Sequence, residues 1–209
     1  MLKEMKNAVE SVKPSFDAIK WEDPIVYANW LSQSYYIASK STAFLGLCLI
    51  HSEKYPEYQK RCTEHLREET GHEKLVLNDL KRLGSELWLE LPETMAFYQP
   101  QYYQIVRQYP LAFMGYVFFL ELLAPEVCPN IIERVTNKKA LSFVKVHGVS
   151  DVDHIEKAVK ILETMPDDLR ELAMANFSMS YVSYKSMLKK VAELNTNADG
   201  SQALYKSVG

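Results

Sequence analysis

Three segments of the chain set histidine and carboxylate side chains at spacings that a helix turns into neighbours. His147, Asp151 and His154 lie at i, i+4 and i+7 in VHGVSDVDHIEKA, which on an α-helix forms one stripe. Two imidazoles and a carboxylate on one stripe make a preorganised site for a divalent transition metal. Glu69 and His72, in HLREETGHEKLVLNDLKRLG, are three apart and so share a helix face, the Glu-x-x-His spacing that builds carboxylate metal sites in helical bundles. A solvated charged face competes with that reading, because Glu64, Arg67, Glu68 and Glu73 crowd the same segment. Glu121 stands inside the apolar run GYVFFLELLAP, the only acid between Glu93 and Glu126. A buried carboxylate is costly unless it is paired or binds a metal. Arg107 and Arg134 are candidate partners for it, and a metal is the alternative.

Together these segments offer Glu69, His72, Glu121, His147, Asp151 and His154. Three carboxylates and three imidazoles are enough to hold two iron ions. Hard oxygen donors mixed with imidazole suit iron or manganese better than zinc or copper, and each half would keep open positions for dioxygen.

The elements that must position these residues read as helices. Apolar residues recur at three and four, no long run alternates at period two, and glycine is scarce, at 7 residues. The pattern predicts an all-α, single-domain bundle of about seven helices over 1–195, with a C-terminal tail at 196–209. Helices are expected at about 2–19 with a break near Pro14, at 24–51 opened by Asp23 and Pro24, and at 55–83 closed by Gly84. The remainder are expected at 93–108, at 110–135 with kinks near Pro125 and Pro129, at 141–165 and at 166–194.

Composition narrows the class. The chain has 209 residues, 47% of them hydrophobic, and a net charge of −3, so it can bury a full core and carries no basic footprint for nucleic acid. Cys48, Cys62 and Cys128 are odd in number and widely spaced, which suits a reducing compartment and a role as small apolar core residues. The start lacks the apolar core of a signal peptide, and the longest apolar stretch, Leu111–Val127, carries Glu121 and Pro125 and is short for a membrane span. A cytoplasmic location is expected, with no membrane or nucleic-acid partner, a small-molecule substrate, and a homodimer compatible with the sequence.

The segments YANWLSQSYYIASKSTAFLGLCLIHS, EETGHEKLVLNDLKRLG, MGYVFFLELL and HGVSDVDH resemble those of the heme-oxygenase-like diiron oxidases and oxygenases, relatives of the thiaminase II and PQQ-synthase C fold. The resemblance spans about Tyr27 to His154. It implies a heme-oxygenase-like bundle in which Glu69 and His72 are ligands of the first half, Glu121 is the shared carboxylate, and His147, Asp151 and His154 are the late ligands. Members that place the early acid seven residues before the histidine would need one at position 65, which here is His65; Glu68 is the fallback. The implied function is a non-heme diiron enzyme that activates dioxygen to oxidise a small amphiphilic substrate, an amino acid or a fatty acid, by oxidative C–C cleavage, decarboxylation or N-oxygenation. A cofactor-independent enzyme of the thiaminase II type and a non-catalytic metal-binding protein are the alternatives. Tyr27, Tyr35, Tyr36 and Tyr116 are expected near the cavity. Tyr35, Tyr36 and Lys40 are candidate catalytic residues, Lys40 as an anchor for a substrate carboxylate or, more simply, a side chain reaching solvent.

Overall fold

The computed structural model describes residues 2–148 and 152–194, and within those spans leaves aside the side chains of residues 108, 152–154, 156–158 and 194. Helices dominate, and the described residues contain no β-strand. In chain order they are α1 (Leu2–Glu10), α2 (Lys13–Asp17), α3 (Pro24–His51), α4 (Pro56–Glu69), α5 (His72–Leu83), α6 (Pro92–Tyr103), α7 (Phe113–Arg134), α8 (Ser142–Gly148), α9 (Val152–Thr164) and α10 (Asp167–Leu194). A π-helical turn (Gln104–Gln108) and a 3₁₀ turn (Pro110–Ala112) join α6 to α7.

Local chemistry explains most of the boundaries. Asp23 caps α3 by accepting a hydrogen bond from the Ile25 amide at 2.8 Å, with Pro24 as the first helical residue. Its missing N–H costs nothing there. Gly84, at φ 69°, closes α5 in a Schellman motif: Ser85 N–H donates to Leu80 C=O and Gly84 N–H to Lys81 C=O, satisfying carbonyls at the helix end. α7 continues through Pro125 and Pro129.

The structure corrects one expected helix. The 55–83 span is interrupted at Thr70–Gly71, so that α4 ends at Glu69 and α5 begins at His72. Gly71 has φ 96°, a left-handed conformation open to glycine and strained for other residues. Over the expected 141–165 span, helix is described at Ser142–Gly148 (α8) and Val152–Thr164 (α9), and residues 149–151 between them lie outside the described residues. The tail expected at 196–209 lies outside the described residues.

The core is built from α3, α6, α7 and α10. Phe97, Tyr116, Phe119, Phe177 and Tyr184 pack ring against ring with centroids 4.8–6.2 Å apart, within the range favoured by aromatic pairs. The segment Pro110–Arg134 is long and apolar enough to cross a membrane by length and composition, but 67% of its apolar window is buried inside the protein, as in a central core helix. α4, α5 and α8 close over one side of this core and bring the polar residues of the site against it.

Candidate metal centre

A cavity of about 440 Å³ runs between α3, α4, α5, α7, α8 and α10. Most of its wall is apolar, including Ile37, Leu45, Phe113, Val117, Leu120, Leu123 and Val127. The polar part of the lining gathers His65, Glu68, Glu69, His72, Glu121 and His147. A mostly apolar pocket with a few convergent polar groups is the usual form of a small-molecule site.

Three of the sequence-predicted residues meet there. Glu69, His72 and His147 each offer one ligand atom, and these atoms lie within 4.8 Å of one another. The route to this meeting is not a shared helix face. Glu69 ends α4 and His72 begins α5, and the turn at Gly71 folds the second imidazole back, so that His72 Nδ1 stands 3.4 Å from Glu69 Oε2. Despite that contact, His72 Nδ1 is buried without a hydrogen bond. His147 comes from the last turn of α8, with its ring 4.7 Å from that of His72. Its Nδ1 lies 2.9 Å from the Phe143 carbonyl. As the N–H tautomer it donates there, which fixes the ring and leaves Nε2 for a ligand; anchoring of this kind is what metal-bound histidines use.

Two further contacts hold α8 in place. Asp79, fully buried on α5, accepts a hydrogen bond from the Phe143 amide at 2.8 Å and so caps the start of α8. Arg82, also on α5, donates to Asp79 at 3.0 Å, to the Lys139 carbonyl at 2.9 Å and to Ser142 Oγ. The helix that begins with His72 therefore clamps the helix that carries His147. At the other end of α8, Gly148 packs on α7 so closely that a Cβ there would stand 2.8 Å from Cys128 Cβ.

Glu121 is in the cavity wall but outside the three-residue cluster. Its partner is neither Arg107 nor Arg134. Arg134 is engaged with Glu22 and with the Asp17 and Ile19 carbonyls. Glu121 Oε1 instead lies 2.9 Å from Arg61 Nη2, and Arg61 Nη1 reaches Glu68 Oε2 at 3.0 Å. His65 Nε2 sits between the two carboxylates, 3.4 Å from Glu69 Oε1 and 3.8 Å from Glu121 Oε1. Arg61 and His65 were not singled out from the sequence. Their signal was the i, i+4, i+8 series Arg61–His65–Glu69 along α4, which puts all three on one face.

The electrostatics follow from this packing. Burial alone would raise the Glu69 carboxyl, but its contacts with His65 and His72 and the charges of His65 and His147 hold it well below the usual carboxylate range. For His65, burial lowers the pKa, yet the contact with Glu69 and the charge of Glu121 win and raise it. For His147, burial dominates and lowers it, favouring the neutral imidazole that binds metals. The Arg61 guanidinium is shared between Glu68 and Glu121, and Glu69 lies between His65 and His72.

Asp151 and the side chain of His154 lie outside the described residues. The candidate catalytic residues do not meet the cavity. Tyr36 donates to the Trp88 carbonyl at 2.8 Å, and Tyr35 packs on Tyr36 with centroids 5.6 Å apart. Lys40 is exposed, with Nζ 6.0 Å from the centre of the Tyr98 ring. None of the three lines the cavity. Tyr27 is spent on the Ala140 carbonyl at 2.8 Å, whereas Tyr116 lines the cavity with a buried hydroxyl that has no hydrogen-bond partner. The three cysteines are buried and free. Cys128 lines the cavity, but burial pushes its thiol up to about 12, which removes the thiolate a nucleophile needs.

A family model described as iron-containing redox enzyme matches residues 28–183. Among solved structures, a domain of unknown function with a heme oxygenase-like fold from Shewanella denitrificans OS217 is similar, with a TM-score of 0.79 and 18% identity over 96% of this chain and 93% of that one. A TenA homolog from Pseudomonas syringae pv. tomato DC3000 is similar with a TM-score of 0.68 and 12% identity over 90% of this chain and 91% of that one. At these identities the likeness establishes the heme-oxygenase-like fold. No curated protein matches the chain.

Proposed function

Because the chain belongs to the family of iron-containing redox enzymes, we propose that it is a non-heme iron oxidoreductase that uses dioxygen to oxidise a small amphiphilic substrate. The observation that carries this reading is the convergence of Glu69, His72 and His147 within 4.8 Å in the wall of an apolar cavity. Two imidazoles and a carboxylate with open positions are the donor set of many iron(II) oxygenases. The buried, unbonded Nδ1 of His72 and the anchored Nδ1 of His147 fit that group. Glu69, His72 and His147 would hold one iron. Glu121, with Asp151 and His154, would complete the position of a second.

Bound iron would supply the electrons and oxidising power for the reaction with dioxygen. The chain does the rest. The Phe143 carbonyl orients His147, and His65 holds Glu69 from the side opposite His72. Leu120, Val117 and Leu45 receive the apolar part of the substrate and exclude water, so that its polar head lies at the carboxylate–imidazole end. Amino acids and fatty acids have this shape, and oxidative C–C cleavage, decarboxylation and N-oxygenation are the reactions considered for them. The high pKa of Cys128 disfavours a reaction through a cavity cysteine.

The test is dioxygen uptake by protein loaded anaerobically with iron(II), against a panel of amino acids and medium-chain fatty acids. A member of the panel should accelerate uptake and yield an oxidised product, and His147→Ala should abolish the acceleration. Uptake indifferent to every panel member, or equal in His147→Ala, would contradict the proposal.

A further inference from the structure

Cys48 and Cys62 meet where α3 and α4 pack side by side. Gln59 fixes the register of the two helices there, donating to the Leu49 carbonyl at 2.9 Å. Tyr58 lies one turn before Cys62 on the same face of α4. Its O–H donates to the Pro110 carbonyl at 2.8 Å, and its oxygen stands 3.4 Å from Cys48 Sγ. The Cys62 thiol is in hydrogen-bond contact with the Cys48 thiol and with the Tyr58 hydroxyl. Both cysteines are buried and free. Leu45, one turn before Cys48, and His65, one turn after Cys62, line the cavity, so each thiol is within a helical turn of the cavity wall.

We propose that Cys48 and Cys62 are an oxidant-sensitive dithiol, which hydrogen peroxide converts into a disulfide joining α3 to α4. Two thiols already in contact need only a small approach to reach the roughly 2 Å of a sulfur–sulfur bond. Their settings divide the roles. The contact with Cys48 lowers the Cys62 thiol against the burial that would raise it, whereas burial keeps the Cys48 thiol well above its ordinary value. Cys62 is therefore the sulfur that reaches the reactive thiolate first. It attacks one peroxide oxygen, the O–O bond breaks, and Cys62 becomes a sulfenic acid as the first water leaves. Cys48 then attacks the Cys62 sulfur, the S–S bond forms, the S–O bond breaks, and the second water leaves with the Cys48 proton. Two thiols are oxidised and one peroxide is reduced to two waters. Cys128 is the internal comparison, a buried thiol on which burial alone acts. The dithiol does not depend on the metal reading, since peroxide from solution is the oxidant.

The test treats the whole, folded, metal-free protein with hydrogen peroxide, then alkylates it in denaturant without reductant and digests it with trypsin. Cys48 and Cys62 fall in separate tryptic peptides, 41–54 and 62–67. Mass spectrometry should find these two joined, lighter than their sum by the two hydrogens lost, and separated again by dithiothreitol. Cys128 should remain alkylated. Cys62→Ser should leave Cys48 alkylated after the same treatment, and Cys48→Ser should carry Cys62 on to the sulfinic acid, because no second thiol is present to close the disulfide. The reverse pattern would overturn the assignment of Cys62 as the attacking sulfur. If neither serine variant folds, the parent chain alone decides the pairing. Peptides 41–54 and 62–67 both alkylated as in untreated protein would overturn the proposal. So would joining through Cys128 or between molecules, which reports thiols released by unfolding and not a pair held by the fold.

Discussion

Glu69 is the carboxylate on which the site turns, because His65, His72 and His147 all surround it. Its neighbours keep it ionised although it is buried, so its negative charge is available to a metal at neutral pH. Glu69→Gln keeps the shape and removes the charge, and His147→Ala removes an anchored imidazole. Either change should weaken iron(II) binding at the first equivalent by at least about 100-fold, the upper end of what loss of an outer partner alone costs; equilibrium titration under anaerobic conditions measures it. At this scale the sequence was informative about residue types and poor about partners. Glu69, His72 and His147 were visible as spaced acids and imidazoles. His65 was passed over because an acid was sought at its position, and the ion pair of Glu121 was invisible. Arg61 is sixty positions earlier in the chain than Glu121, and only the fold, which sets α4 and α7 around one cavity, brings them together.

The elements hold these residues by two devices that can be tested separately. The first is the turn between α4 and α5. An added Cβ at Gly71 would find open space, with nothing within 4 Å, so the cost of Gly71→Ala is the left-handed backbone alone, about 1–2 kcal/mol. Thermal unfolding of the apoprotein should show that loss. Iron affinity should fall with it, because relief of the strain rotates His72 away from Glu69. The second is the cap that Asp79 places on α8. Asp79→Ala leaves the Phe143 amide without its acceptor and should cost about 1–3 kcal/mol. Hydrogen exchange should accelerate in α8 more than in α3 or α10. The helix starts at Pro24 and Pro56 and the stop at Gly84 were legible because proline and glycine act there through local geometry. The break after Glu69 was not. A glycine within a helical pattern is tolerated as often as it breaks the helix, and the outcome here depends on where α5 docks.

The whole molecule provides the enclosure, and the all-α bundle expected from apolar periodicity is the fold observed. The cavity was less legible, since its walls come from six helices distributed along the chain, and residues expected near it, such as Tyr35 and Tyr36, face elsewhere. Enclosure also has a measurable signature. Burial pushes the Cys128 thiol from its ordinary value of 9.0 up to about 12 and raises the phenols of Tyr27, Tyr116 and Tyr184. Groups whose folded pKa is raised contribute stability that is complete below the unfolded value and is lost as pH rises through the folded one. The melting temperature should therefore hold up to about pH 9 and fall beyond it, and Cys128→Ala should flatten the first part of that fall without abolishing the part due to the tyrosines. The central claim is that this enclosure holds iron on Glu69, His72 and His147. Anomalous diffraction at the iron edge, from crystals of protein loaded anaerobically with iron(II), tests it most directly. The account predicts an iron peak bounded by those three side chains. Fully loaded crystals with the peak elsewhere, or with no peak and the three side chains keeping their present contacts, would contradict it.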